Sequence, residues 1–244
     1  MKTKLEPFYK DKIRDAEVVA VDLDDTLING NACYGAFYIV WDRLKKGKIV
    51  NAIKLGAHGI RLYAESHLRR DSTEWDRENY FLKELYRVLG NYDVTSEEMK
   101  KYSGIYIKSM QNRGAKNFLG RIRNFGEKKK MILITRESEE CADAAKEYFN
   151  FDEAISNKTK SKEGGKIDRV EIIIKGPQDG LKLLRKSLKK ENVNPGKAMH
   201  ISDNPPDSLV YKDNIGIFAT YKRKNGNMII DDFQKFEKAL ISAD

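Results

Sequence analysis

Asp22-Leu23-Asp24-Asp25-Thr26 follows directly on the apolar run Val18-Val19-Ala20-Val21. A short apolar run of this kind reads as a buried strand, so carboxylates stand at its exit. Side chains alternate along an extended chain. Asp22 and Asp24 therefore leave on the same side and can converge on one cation or one phosphorus atom. Like charges this close repel each other, and the pair is tolerable only where a divalent ion, another cation or a shared proton offsets the repulsion. The stretch is a candidate catalytic centre with an implied divalent ion. An acidic helix-capping turn would account for one Asp and for Thr26, but not for the apolar strand before them.

Phosphoryl transfer needs a nucleophile, an acid or base, donors for the nonbridging oxygens and usually a metal. The chain supplies each in order. Asp22 and Asp24 come first, then Thr135 at the end of Met131-Ile132-Leu133-Ile134. Lys175 stands before Gly176-Pro177, and Asp203 and Asp207 follow Ala198-Met199-His200-Ile201. In an open parallel sheet, ligands bind just beyond the carboxyl ends of the strands, which is where Asp22, Thr135 and Asp203 fall. Lys175 is preferred to Lys182 because Pro177 suits the first turn of a helix, and an anion is already favoured at a helix N-terminus. Lys182, inside that helix, reads as a surface charge.

The elements that must position these residues follow from periodicity. A further short apolar run, Asn214-Ile215-Gly216-Ile217-Phe218, predicts a fourth strand, and amphipathic patterns predict helices over 139–149, 180–190 and 231–241. Strand and helix alternate, which predicts an α/β fold with a parallel sheet. Between residues 29 and 114 the texture changes to helix, with Tyr34, Phe37, Tyr38, Trp41 and Leu44, then Leu82, Leu85, Tyr86 and Leu89, at spacings of three and four. Asp71-x-x-Glu74 and Thr95-x-x-Glu98 read as capping boxes. Ile53, Gly56, Ala57 and Ile60 share one helix face that reads as core. Over 154–175, Ala154-Ile155-Ser156-Asn157 and Val170-Glu171-Ile172-Ile173-Ile174 flank Gly164-Gly165 and predict a β-hairpin. The expected organisation is an α/β core of residues 1–28 and 115–244, with a helical insert over 29–114.

At 244 residues the chain can bury a substantial core. Cys33 and Cys141 are far apart and have no metal-ligand spacing, which argues against a disulfide framework and for a reducing compartment. The polar N-terminus and the absence of a long apolar stretch lead to the expectation of a soluble, cytoplasmic protein without a membrane partner. A net charge of +9 would help gather an anionic substrate. The basic runs Lys45-Lys46-Gly47-Lys48 and Lys128-Lys129-Lys130 carry no interleaved aromatic platform, so no specific nucleic-acid partner is expected. His58, His67 and His200 share no ligand spacing, and His200 reads as a satisfied core histidine. Trp41 and Trp75 read as packing residues at helical spacing, with lining of a substrate pocket as the alternative. Oligomeric state is left open.

With Asp22-x-Asp24-x-Thr26, Thr135, Lys175 and Ser202-Asp203-x-x-x-Asp207 in line, the chain resembles the haloacid dehalogenase-like (HAD) hydrolase superfamily, and within it the phosphoserine phosphatase-like branch. The resemblance covers the core and implies a Rossmann-like parallel sheet with an inserted all-α cap and a β-hairpin. It further implies that Asp22 attacks phosphorus to form an aspartyl-phosphate, that Asp24 serves as acid and then base, and that Thr135 and Lys175 hold the phosphoryl oxygens. Mg²⁺ would be bound by Asp22, the backbone carbonyl of Asp24 and Asp203, with Asp207 in direct contact or one step behind. Asp24 disfavours dehalogenation, because dehalogenases of this superfamily lack the second carboxylate. Asn31 stands about where phosphoserine phosphatases carry a glutamate for the substrate amine, and Ser202-Asp203-Asn204-Pro205-Pro206-Asp207 replaces a glycine-rich loop. The expected function is a Mg²⁺-dependent phosphatase acting on a small phosphorylated substrate, a phosphomonoester. The alternatives are a phosphomutase or phosphotransferase using the same site, or a non-catalytic nucleic-acid-binding or regulatory protein.

Overall fold

Apolar runs too short for helices set the centre of the fold. In the computed structural model, which describes residues 7–69, 73–204, 207, 210–221, 228–230 and 232–241, β1 (Val18–Asp22) lies between β2 (Lys130–Ile134) and β6 (Ala198–Ser202), parallel to both. Beyond them run β3 (Glu153–Ile155) on one side and β7 (Ile217–Tyr221) and β8 (Met228–Ile230) on the other, giving the order β3-β2-β1-β6-β7-β8. The chain builds outward from β1 in one direction and from β6 in the other. The sheet order therefore reverses between those two strands, where a cleft opens at their carboxyl ends.

Alternation along the strands feeds two apolar layers. Val19, Val21, Met131, Leu133, Met199 and Ile201 join the layer that includes residues of α6 (Ala115–Arg123), α7 (Glu139–Phe149) and α9 (Phe233–Ile241). Val18, Ala20, Ile132 and Ile134 pack with Leu181, Leu184 and Leu188 of α8 (Pro177–Lys190) on the other. Each fully buried Val, Leu or Ile contributes on the order of 1.5–3 kcal/mol, so covering both faces fixes the strand register. Two boundaries differ from the sequence expectation. α8 begins earlier, with Pro177 in its first turn. β7 begins at Ile217, because Asn214, Ile215 and Gly216 spend their N–H groups on Tyr211 and Pro195 carbonyls. Asp231 of the predicted last helix lies outside the described residues.

After α1 (Pro7–Asp15) and β1, the chain makes α2 (Ala36–Lys45), α3 (Ile49–Leu68), α4 (Glu74–Asn91) and α5 (Ser96–Met110) before α6 and β2. It leaves and returns side by side: Ile28 bridges Gln111, the Asn29 N–H donates to Met110 and the Asn112 N–H to Leu27, both at 2.8 Å. The Thr95–Glu98 capping box starts α5. Asp71 lies outside the described residues, and α4 is capped by a different box, Thr73 with Asp76. The predicted core face of α3 is corrected. Ala52, Leu55, Gly59 and Leu62 face inward, while Ile53 and Ile60 are 60% and 66% exposed. Trp41, expected to pack, is also exposed.

The hairpin is real but displaced. Its strands are β4 (Lys158–Ser161) and β5 (Ile167–Glu171), while Ala154 and Ile155 belong to β3 in the main sheet. Residues 172–174 are not strand, and Asn157 Oδ1 accepts the N–H groups of Ile173 and Ile174 at 2.7 and 2.9 Å. β5 packs against α4, and the Ile167 N–H donates to the Val94 carbonyl at 2.9 Å. Among the described residues, no helix is long and apolar enough to cross a membrane.

The approach of α4 to β5 leaves no room at Gly90, where an added Cβ would lie 2.4 Å from the Ile167 carbonyl oxygen. Ala is intrinsically better than Gly in a helix by about 1 kcal/mol, but a clash with backbone costs about 1–3 kcal/mol and wins. Gly90→Ala is expected to lower Tm. Gly120→Ala in α6, with nothing within 4 Å of the new Cβ, is expected to raise it by about 2–4 °C. Thermal melts of the two variants beside the parent check both signs.

Candidate active site

Parallel pairing brings the ends of β1, β2 and β6 to one edge of the sheet, and the turn after β1 ties them together. The Thr26 hydroxyl accepts the Asp203 N–H at 2.9 Å and lies 3.2 Å from Asp203 Oδ1 and 3.4 Å from Asp22 Oδ2. With a single proton it can donate to only one of these carboxylates at a time. Asp25 sits in the left-handed region at φ 52°, and its Oδ1 accepts the Gly30 N–H at 2.9 Å, closing the turn. Asp24 uses Oδ1 to accept the Ala32 N–H at 2.9 Å, while its Oδ2 stands 3.5 Å from the Thr135 hydroxyl. Asp22, Asp24, Thr135, Asp203 and Asp207 all line one cavity of about 160 Å³.

The charge balance of this cavity is unfavourable without a counter-ion. Burial pushes the Asp22 carboxyl well above its ordinary range, the charges of Asp203 and Asp207 add to the push, and Arg136 opposes it. Asp24 is raised by burial first, then by Glu137 and Asp22, again with Arg136 opposing. Burial likewise raises Glu137, whose Oε1 accepts the Cys33 N–H at 3.2 Å. Among the described residues, no three His, Cys, Asp or Glu side chains form a ready metal cage. What converges is a pair, Asp22 and Asp203, joined through Thr26. Such a hard, oxygen-only donor set fits a small divalent ion that retains several waters. Asp207 is engaged behind them: its Oδ2 accepts the Ser202 hydroxyl at 2.7 Å and lies 3.6 Å from His200 Nε2. Pro205 and Pro206 of the same loop lie outside the described residues.

Lys175 is the sequence candidate that the fold does not bring in. Its side chain is exposed and absent from the cavity lining, its N–H donates to Asp179 Oδ2 at 3.0 Å, and its carbonyl accepts Asn79 Nδ2 at 3.3 Å. Lys182 is exposed as well. The cation that does line the cavity is Arg136, immediately after Thr135. Its guanidinium carbon lies 3.7 Å from the centre of the Trp75 ring, and its Nη1 is ion-paired with Glu78. Trp75 is thus a cavity residue rather than a packing one. His200 also departs from expectation. It stacks on Tyr211 at 4.2 Å, but neither ring nitrogen has a hydrogen-bond partner among the described residues, and the ring lines the cavity. Arg136 and Glu78 escaped the sequence reading, and Trp75 takes the lesser of its two expected roles. The available signal was Arg136's place directly after a strand-terminal threonine.

A second cavity of about 320 Å³ adjoins the first, sharing Asp24, Asn31, Glu78 and Arg136 and adding Tyr34, Tyr63, Phe81, Arg77 and Glu137. Cys33 and Cys141 are buried free thiols, pushed well up by burial.

The raised Asp22 carboxyl sets a pH signature for the metal-free protein. The folded chain holds a proton that the unfolded chain, with an ordinary value near 3.8, releases. Stability should therefore be greatest below that value, fall as pH rises through the raised range, and level off above it. Asp22→Asn is expected to flatten this fall and to raise Tm at neutral pH in EDTA by roughly 2–4 °C, equivalent to about 1 kcal/mol. Added Mg²⁺ should raise the Tm of the parent and leave the variant nearly unmoved. Calorimetric melts across pH, with and without the ion, read all three.

No family model and no curated protein sequence matches the chain. Solved structures do. A phosphoserine phosphatase in apo form superposes with a TM-score of 0.60 at 16% identity, over 91% of this chain and 98% of that one. A phospho-aspartyl intermediate analogue of phosphoserine phosphatase gives 0.61 at 16% identity, over 91% and 98%. A HAD family hydrolase from Salmonella enterica serovar Typhi gives 0.59 at 15% identity, over 98% of this chain and 82% of that one. The chain thus has the haloacid dehalogenase-like fold found in phosphoserine phosphatases.

Proposed function

We propose that the protein is a Mg²⁺-dependent phosphatase that hydrolyses a small phosphomonoester through an aspartyl-phosphate on Asp22. The observation that carries this reading is the meeting of Asp22, Asp24, Thr135 and Asp203, drawn from three strand ends, at one small cavity. Asp22 and Asp203, with the Asp24 backbone carbonyl, would hold the ion, which when bound supplies positive charge against these carboxylates and the phosphoryl group. An Asp22 oxygen attacks phosphorus, and Asp24 gives its proton to the departing ester oxygen. Asp24 then takes a proton from the water that opens the acyl phosphate. Its environment suits that role, since burial and the neighbouring Glu137 and Asp22 charges favour its protonated form. The Thr135 hydroxyl lies between Asp24 and the strand end, where it can turn to a phosphoryl oxygen. The adjoining cavity would take the alcohol half of the substrate.

The helical segment over 29–114 would act as a cap over a core of 1–28 and 115–244. Support comes from α4, which contributes Trp75 and Glu78 to the cavity lining. Two buried free thiols are consistent with a reducing cytoplasm.

The test is phosphate release from an aryl phosphate with Mg²⁺, followed by a screen of sugar phosphates, nucleotides and phosphoamino acids. Asp22→Asn is expected to be inactive. Asp24→Asn should lose about 10²–10⁴-fold in kcat, the usual contribution of a general acid–base, with EDTA abolishing turnover of the parent. Turnover that appears only when an alcohol acceptor is supplied would reassign the site to a phosphotransferase, and full activity of Asp22→Asn would refute the mechanism.

A further inference from the structure

The first cavity gathers five aspartates and, on the phosphatase reading, receives a phosphoryl group, yet the lysine expected to face that group is exposed outside it. We propose that Arg136 supplies the side-chain positive charge to the phosphoryl oxygens in place of a lysine, and that Glu78 holds that charge in the phosphate-free protein. The inference rests on the phosphatase reading for the identity of the substrate, and on the observed placement of Arg136 for the site.

Three features carry it. Arg136 follows Thr135 at the carboxyl end of β2, so its main chain is fixed by the strand, and the Arg136 carbonyl is further held by Asn157 Nδ2. Its side chain lines both the aspartate cavity and the adjoining one, the position a group must occupy to meet a phosphate bonded to its alcohol. Arg77 lines only the second cavity. The guanidinium is also pre-oriented. Trp75 covers its face at 3.7 Å and Glu78 takes the Nη1 side, which among the described residues leaves the planar fork other N–H donors for the bidentate geometry that guanidinium offers to phosphate.

The partner arrangement makes the step an exchange. A phosphate dianion brought to Arg136 competes with the single charge of Glu78, and Glu78 belongs to α4. Phosphate binding therefore loosens one contact between the inserted helices and the end of β2, and product release restores it.

Inorganic phosphate, titrated calorimetrically with Mg²⁺ and used as a competitive inhibitor of aryl phosphate hydrolysis, reads this directly. Arg136→Ala is expected to weaken phosphate binding by about tenfold to a hundredfold, the usual worth of a charge-assisted hydrogen bond, with Arg136→Lys intermediate. Glu78→Gln should tighten phosphate binding severalfold, because it removes the competitor; a merely structural ion pair would give no change or a loss. Arg136→Ala within twofold of the parent, a larger loss from Lys175→Ala, or unchanged or weakened phosphate binding in Glu78→Gln would overturn the proposal. Should Arg136→Ala fail to fold, Arg136→Lys and Glu78→Gln carry the test by the same readings. Phosphate binding through Arg136 without hydrolysis of any ester would sink the phosphatase reading and leave this one standing. Hydrolysis indifferent to Arg136 would do the reverse.

Discussion

Asp22 and Asp203 meet at one hydroxyl, and the rest of the structure is arranged around that meeting. Thr26 has one proton to offer the two carboxylates, and burial makes their like charge more costly than it would be in water. The chain tolerates this because β1 is paired on both sides and apolar on both faces, so the strand ends cannot drift apart to relieve the repulsion. Stability spent at the centre of the sheet is what holds an electrostatically unfavourable site together, as expected where a bound cation completes the balance.

The parts of the fold that were legible in the sequence are those whose burial is uniform. β1, β2 and β6 are almost wholly buried and read as unbroken apolar runs ending in Asp22, Thr135 and Asp203 or just before it. α7 was legible for a different reason, since Ser138 caps it and its periodicity is clean. The hairpin resisted because Lys-Thr-Lys-Ser of β4 is largely solvated and has no apolar alternation, while the apolar Ile172-Ile173-Ile174 beside it is satisfied by one asparagine side chain rather than by a ladder. α3 resisted because apolar residues surround it. With Ile53 and Ile60 on one face and Leu55 and Leu62 on another, periodicity does not choose which pair is buried, and packing against α2 and α4 decides.

The site divides along the same line. Carboxylates at strand ends are readable because their register is inherited from the strands. The cation is not, because Lys and Arg number 46 and a long side chain can reach many places from one backbone position. Lys175 precedes a helix N-terminus, as its flanking Gly176-Pro177 suggested, yet only its main chain is used there, by Asp179 and Asn79. Arg136 is placed instead by Trp75 and Glu78, residues some sixty positions earlier whose proximity depends on how α4 packs against α3 and β5.

That packing has a mechanical corollary. α4 is fastened near its start, where Glu78 and Trp75 grip Arg136 and Asn79 reaches the Lys175 carbonyl, and near its end, where Gly90 abuts Ile167 and the following residues bridge to β5. A rod pinned at both ends cannot swing like a door. It links the cavity lining to the hairpin, so β4 and β5 serve as an outer brace for the helix that carries Trp75 and Glu78.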